Sequence, residues 1–389
     1  MGRRTRARRK KLTEVTISNK KFMAITITLF IVIALFLLIL IKINKDNIEK
    51  VAEDKKTASQ HIEEIYKANE KNLQDLKNYK TGQIIRISAV GDLLCGDNLQ
   101  KYSEDFSYIF EDVSEYINGA DIALATYETT KTGEFSNAIK NVGIDCVSIA
   151  NNRIFDDGLK GLTNTKKQLE KIGLKTVGFS DSKPENRVSI IEKKGVKIAV
   201  LAYCYNTEKK GVNVFSEDLA KEDLEYASNN AAAVVVLMHW ENINSTEVTN
   251  LQKQQTSFLV ENGADVIIGT HPSTIQRMEV VENSKGEKCL IAYSLGDFTT
   301  EVDNEKAKLN LILNIQIYVD ENGKNTLYNV DYTPVYMLNK GTKIENNRYK
   351  ILDTKNEIEK YENNNSEIDK SCYDRLLKSL DRLKSILNV

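Results

Sequence analysis

A chain of 389 residues, 41% hydrophobic and 28% charged, has room for a large buried core and lacks the composition of a disordered polymer. Its 54 Lys and Arg against 55 Asp and Glu leave a net charge of −1, which argues against a chain built to bind nucleic acid. Five cysteines, an odd number with no CxxC spacing, argue against a disulfide framework or a thiolate zinc knuckle.

The near-neutral total conceals a basic amino terminus. Arg3, Arg4, Arg6, Arg8, Arg9, Lys10, Lys11, Lys20 and Lys21 precede residues 22–41, an uncharged apolar run. A run of about 20 such residues spans a bilayer core as a helix. No small-residue cleavage site follows it at Leu40-Ile41-Lys42, so the segment reads as a retained anchor rather than a signal peptide. The positive-inside rule then places residues 1–21 in the cytoplasm and everything beyond Lys42 outside the cell membrane. Residues 42–82 are rich in Lys, Glu, Asp and Asn, with Ile48, Val51, Ile62, Ile65, Leu73, Leu76 and Tyr79 at roughly helical spacing. They read as a helical stalk with His61 on its surface. The heptad pattern lapses between Val51 and Ile62, which suits a solvated spacer better than a coiled coil.

From Gln83 apolar runs alternate with amphipathic helical stripes. Ile84-Ile85-Arg86-Ile87-Ser88-Ala89-Val90 leads to Gly91-Asp92, Ile122-Ala123-Leu124-Ala125 to Glu128, and Cys146-Val147-Ser148-Ile149-Ala150 to Asn151-Asn152-Arg153. After a hairpin turn at Lys194-Gly195, Val234-Val235-Val236-Leu237-Met238 leads to His239-Trp240. A helix through Leu251, Phe258 and Leu259, closed by Gly263, precedes Val266-Ile267-Ile268 and His271. Continuous apolar runs separated by helices predict parallel strands buried on both faces, and such a crossover makes the last two strands parallel neighbours. Beyond His271 the period falls to two. Leu309, Leu311, Leu313, Ile315, Ile317 and Val319 read as a strand covered on one face, in an added antiparallel layer. Residues 83–340 thus form the main domain. Residues 341–389 form a carboxyl-terminal extension whose last helix carries Ile368, Cys372, Leu376, Leu380, Leu383 and Leu387 on one face, with Ser366 and Asp369 at capping-box spacing.

Open α/β sheets keep their ligands at the carboxyl ends of strands, where Asp92, Glu128, Asn152, His239 and His271 collect. Two imidazoles, two carboxylates and an amide oxygen suit a divalent Mn, Fe or Zn ion better than a thiolate-rich site would. Each residue also has an ordinary alternative taken singly: a helix cap for Asp92, a turn for Asn152, a solvated loop acid for Glu128.

Gly91-Asp92-Leu93-Leu94, Thr126-Tyr127-Glu128, Ser148-Ile149-Ala150-Asn151-Asn152-Arg153, His239-Trp240, Gly263-Ala264-Asp265-Val266-Ile267-Ile268-Gly269-Thr270-His271-Pro272 and Tyr293-Ser294-Leu295-Gly296-Asp297-Phe298 resemble, in order, the motifs of the CapA family. That capsule-synthesis family belongs with the calcineurin-like metallophosphoesterases and is associated with poly-γ-glutamate synthesis and export. The resemblance implies a four-layer α/β/β/α sandwich, with Asp92, Glu128, Asn152, His239 and His271 as metal ligands. It also implies Asp92 and Arg153 at the reacting centre, and Arg153, Trp240 and Asn151 against substrate. The family usually carries histidine where Arg153 and Ser273 stand, and Asn where Asp297 stands; Asp97 adds a carboxylate near Asp92 in sequence. One metal per chain is therefore expected, with Asp92 the remnant of a second site. The partners implied are the membrane, a synthase or export complex and an anionic polymer such as poly-γ-glutamate. A metal-dependent hydrolase or transferase, a catalytically degenerate polymer-binding or scaffold subunit, and a phosphoesterase acting on envelope phosphates are the three activities that fit.

The charge asymmetry yields a direct test of orientation. Protease added to intact, wall-stripped cells is expected to digest or release the domain beyond Lys42. Full protection of that domain, with the outer face otherwise accessible, would show the reverse orientation.

Overall fold

Apolar runs buried on both faces pair into two sheets in the computed structural model, which describes Lys42 and residues 82–101, 103, 105–205, 211–241, 244–339 and 349–387. The chain divides into two units, Met1–Thr57 and Ala58–Val389, and the elements below belong to the second. The expected span at 22–41 and nearly all of the stalk at 42–82 lie outside the described residues. Among the described residues no helix is long and apolar enough to cross a membrane.

The first sheet has seven strands in the order β13-β12-β11-β1-β2-β3-β4. These are β1 (Gln83–Leu93), β2 (Ile122–Tyr127), β3 (Cys146–Ser148), β4 (Lys175–Val177), β11 (Leu309–Val319), β12 (Asn325–Asn339) and β13 (Tyr349–Asp353). Strands β1 to β4 are parallel, and β11, β12 and β13 add to β1 as an antiparallel flank. The second sheet has six strands in the order β5-β6-β7-β8-β10-β9. They are β5 (Ser189–Lys193), β6 (Val196–Cys204), β7 (Ala233–His239), β8 (Val266–Thr270), β9 (Met278–Glu282) and β10 (Lys288–Ala292). Its four central strands are parallel, edged by the hairpins β5-β6 and β9-β10. Lys194 and Gly195, both at positive φ, make the first of these turns.

Period-two alternation explains the continuous apolar runs. On β7, Val235 and Leu237 join the main core with Val200, Ala202, Val266 and Ile268. Their neighbours Val234, Val236 and Met238 pack instead with Leu224 and Ala227 of helix α3 (Glu217–Asn230) and Leu259 and Val260 of α4 (Asn250–Glu261). Helices α1 (Glu134–Asn141) and α2 (Gly158–Lys171) contribute Phe135, Ile139, Leu162 and Leu169 to the core of the first sheet. Helix α4 is the crossover between β7 and β8. A Thr249/Gln252 capping box opens it and Gly263, at φ +107, follows its end.

Two local expectations are corrected. Strand β11 is not covered on one face only, since Ile312 joins the main core together with Leu311 and Leu313, and Asn310 is fully buried. Both faces are covered at the Asn310 and Ile312 end, whereas Asn314 and Gln316 remain partly exposed, as a period of two predicts. The last helix, α5 (Lys370–Leu387), is capped by Asp369 Oδ1, which accepts from Cys372 N at 2.7 Å, while Ser366 donates instead to Glu357. Leu383 and Leu387 reach the main core; Cys372 and Leu376 pack with Leu338 and Leu352 of β12 and β13.

The close approach that positions the site occurs where β1 ends. Asp92 N donates to Gly296 O at 3.2 Å and Thr299 N donates to Asp92 O at 3.1 Å, so the segment after β10 runs against the end of β1. A Cβ on Gly91 would overlap the carbonyl oxygen of Gly296. Gly91→Ala is accordingly expected to lower stability by about 1–3 kcal/mol through overpacking, read as a reduced urea midpoint at unchanged m-value. An unchanged midpoint would show that the approach is not tight.

Candidate metal centre

Strands from both sheets deliver the candidate ligands. Asp92 comes from the end of β1, Glu128 follows β2, Asn152 lies in the turn after β3, His239 closes β7 and His271 follows β8. Parallel order makes these ends coincide, so residues far apart in sequence face one another across the meeting of the sheets.

Glu128, His239 and His271 each offer a ligand atom, all within 4.8 Å of one another. His239 Nε2 lies 2.8 Å from Asn152 Oδ1 and 3.9 Å from Glu128 Oε1, and His271 Nδ1 lies 4.0 Å from Glu128 Oε1. The two imidazole rings are 4.4 Å apart, tilted by 47°. Glu128 and His239 are buried, whereas Asn152 is exposed, so the cluster opens to solvent on the Asn152 side.

Behind this face, Asp92 acts on both histidines. Its Oδ2 accepts from the backbone N of His271 at 2.7 Å, and its Oδ1 lies 3.5 Å from His239 Nδ1. His239 Nδ1 also meets Thr270 Oγ1 at 3.2 Å, a neighbour set by the β7-β8 register that pairs His239 with Thr270. His271 and Ser273 have φ of 87° and 54°. Left-handed backbone at two non-glycine residues is strain, and the Asp92 hydrogen bond helps to hold it.

Burial and crowding of acids dominate the electrostatics. Burial first, then Asp92 and Asp297, push the Glu128 carboxyl well above its ordinary range, with Arg153 opposing. Burial and Asp92 do the same to Asp297. Burial, reinforced by His239, pushes the His271 imidazole down to about 4, so at neutral pH its nitrogen lone pair is available without expelling a proton. Asp92 Oδ1 and Asp297 Oδ1 are buried without a hydrogen-bond partner. A buried, mutually repelling carboxylate group beside two imidazoles is the donor set a divalent cation neutralises, and the residues fit such an ion. Glu128, Asn152, His239 and His271 would hold it.

The remaining expected residues divide between the rim and the core. Arg153 is half-exposed, its Nε 3.3 Å from Asp156 Oδ2. It lines a cavity of about 640 Å³ with Lys131, Thr129, Thr130, Asp157 and Val302. Asp97 lines the same cavity but is exposed and pairs with Lys131 at 3.5 Å, so it does not supplement Asp92. Trp240 and Asn151 do not face the opening. The Trp240 indole is buried and donates to Tyr293 O at 2.7 Å. Asn151 Nδ2 donates to Tyr127 O at 2.8 Å while its Oδ1 accepts from Ile154 N at 2.9 Å, an anchor that fixes the turn bearing Asn152 and Arg153. Thr270 and Lys131 were not singled out from sequence; strand register carries a signal for the first, and nothing local marks the second.

Fold and site together define a two-sheet α/β protein whose converging strand ends form a mixed histidine, carboxylate and amide centre fitted to a metal ion. The chain belongs to the bacterial capsule synthesis protein PGA_cap family, whose sequence profile matches residues 86–302. Among curated relatives, capsule biosynthesis protein CapA of Bacillus anthracis is 24% identical over 281 residues, 63% of this chain and 66% of that protein. PGA biosynthesis protein CapA of Bacillus subtilis (strain 168) is 24% identical over 277 residues, 64% of this chain and 71% of that protein. Among solved structures, a hypothetical protein from Thermus thermophilus aligns with a TM-score of 0.45 at 15% identity, covering 64% of this chain and 98% of its own. A novel phosphatase from Mycoplasma pneumoniae aligns with a TM-score of 0.44 at 14% identity, covering 66% and 94%.

Because imidazole is present at His239 and His271 but serine stands at Ser273, the purified full-length protein is expected to retain one tight transition-metal equivalent, lost in His239→Ala and in His271→Ala. Elemental analysis after dialysis reads this directly. Two tight transition-metal equivalents would contradict it, and none would leave these histidines a structural role.

Proposed function

We propose that this chain is a membrane-anchored, extracytoplasmic protein serving synthesis, export or anchoring of an anionic capsule polymer, poly-γ-glutamate, with the Glu128, Asn152, His239 and His271 centre as its working site. Residues 1–21 are the cytoplasmic tail, 22–41 the anchor and 42–82 the stalk. The observation that carries this reading is the convergence of those four residues beside the Arg153 cavity in a chain of the capsule synthesis family.

A bound Mn, Fe or Zn ion would supply Lewis-acid polarisation of a carbonyl, or an activated water, for hydrolysis or transfer at an amide bond. This chain's own residues have narrower tasks. Asp92 holds His271 through its backbone N–H, and Asn151 fixes the turn from which Asn152 and Arg153 project. A guanidinium gives up its proton too reluctantly to act as a shuttle, so an arginine at 153 can hold a carboxylate or stabilise developing negative charge. Its contact with Asp156 is solvent-exposed and worth about 0–1 kcal/mol, weak enough for a polymer carboxylate to displace.

Arginine at 153 and serine at 273, where the family usually has histidines, favour a second reading: a polymer-binding subunit of a membrane synthase complex that breaks no bond. Turnover assays with peptide and phosphoester substrates separate the two. Arg153→Ala is expected to weaken poly-γ-glutamate binding with a marked salt dependence, whereas Arg153→His combined with Ser273→His gains or raises hydrolysis. Unchanged affinity of Arg153→Ala at low salt would mean that the arginine serves Asp156 alone.

A further inference from the structure

We propose that Lys131 is a second carboxylate seat beside Arg153, so that the cavity next to the metal centre takes a polymer bearing one carboxylate on each repeat and grips two repeats at once. The inference rests on the polymer reading above and adds a specificity-determining residue to it.

Both cations are carried on segments that also carry candidate metal ligands. Arg153 follows Asn152 directly, and Lys131 lies three residues beyond Glu128. Each segment is pinned to the same buried residue: the Tyr127 hydroxyl donates to Lys131 O, and Tyr127 O accepts from Asn151 Nδ2 at 2.8 Å. Thr129 Oγ1 adds a second tie, donating to Cys95 O and accepting from Lys131 N, each at 3.1 Å. The backbone beneath both cations is thus fixed, whereas the side chains of Lys131 and Arg153 are 42% and 45% exposed. Both line the cavity of about 640 Å³. Arg153 also opposes the rise of the Glu128 carboxyl, so its charge reaches the centre.

The charges of this cavity decide what it can hold. Its two cations face four acids, Asp97, Asp156, Asp157 and Glu301. Asp157 accepts from the Thr130 hydroxyl, and Glu301 accepts from the backbone N–H groups of Asn98 and Leu99, so these two acids brace the walls. Asp97 and Asp156 pair with Lys131 and Arg153 at 3.5 and 3.3 Å. Such exposed pairs contribute little and yield to a competing carboxylate. The acid excess disfavours a lone anion held by one cation, because a single attraction is set against the repulsion of the surrounding acids. Two linked carboxylates meet both cations, and the second contact forms within a ligand already bound, where its effective concentration is high. A repeating carboxylate polymer therefore gains from this arrangement what a single carboxylate does not.

The test uses full-length, metal-loaded protein in detergent at low salt, with fluorescently labelled poly-γ-glutamate as the bound probe. Competitors are γ-glutamate oligomers from a single unit upward, both ends blocked so that each unit carries one carboxylate. Affinity is expected to step up about fivefold once added units let a second carboxylate reach Lys131. Lys131→Ala should remove that step, bind the single unit as the unaltered protein does and retain its metal by elemental analysis, whereas Lys131→Arg should keep the step. The same step in Lys131→Ala, or no step in the unaltered protein, overturns this inference alone. Loss of the metal from Lys131→Ala also overturns it, since the lysine would then support the centre rather than the ligand. Failure of the unaltered protein to bind the labelled polymer overturns the polymer reading and this inference with it.

Discussion

Three buried carboxylates, Asp92, Glu128 and Asp297, meet where the two sheets converge, and the need to neutralise them constrains everything around them. Buried acids without compensating charge destabilise a fold, so an arrangement that gathers them has to be held by strong backbone geometry. The tight passage at Gly91 and Gly296, the Asp92 hydrogen bond to His271 and the left-handed backbone at His271 and Ser273 supply that geometry. The surrounding parallel strands give these local devices a rigid frame.

Much of this frame was legible in the sequence because burial on both faces leaves a simple mark. Runs such as Val234-Val235-Val236-Leu237-Met238 are continuous because alternate residues serve different cores, and the polar residue ending each run falls at the ligand edge. Glu128, His239 and His271, with one of the two asparagines after β3, could be collected near the run ends on that rule. Side-chain direction could not. Asn151 and Asn152 are adjacent and chemically identical, yet one is locked into the turn by hydrogen bonds to Tyr127 and Ile154 and the other faces His239. Trp240 follows the candidate ligand His239 but turns into the outer core, where its indole reaches Tyr293. Asp97 is close to Asp92 in sequence and exposed in space, while Asp297 is distant in sequence and adjacent in the fold. These distinctions depend on register and on chain crossings, which periodicity does not encode.

Arg153 and Ser273 stand where the resemblance to the family leads one to expect histidine. An arginine contributes a permanent charge without proton transfer, and a serine contributes an oxygen without an imidazole. In the proposed reading each residue would serve to hold charge rather than to move protons. Asp297 extends that trend by adding a buried negative group against Asp92.

Strand β1 also fixes a direction. The chain enters it at Gln83 and leaves it at the centre beside Asp92, nine residues on, a separation of about 30 Å for an extended strand. The centre therefore lies at the far end of this strand from the point where the chain enters the domain. A label or fusion placed at Gln83 would therefore be held about 30 Å from the candidate ligands, far enough to leave their open side unobstructed.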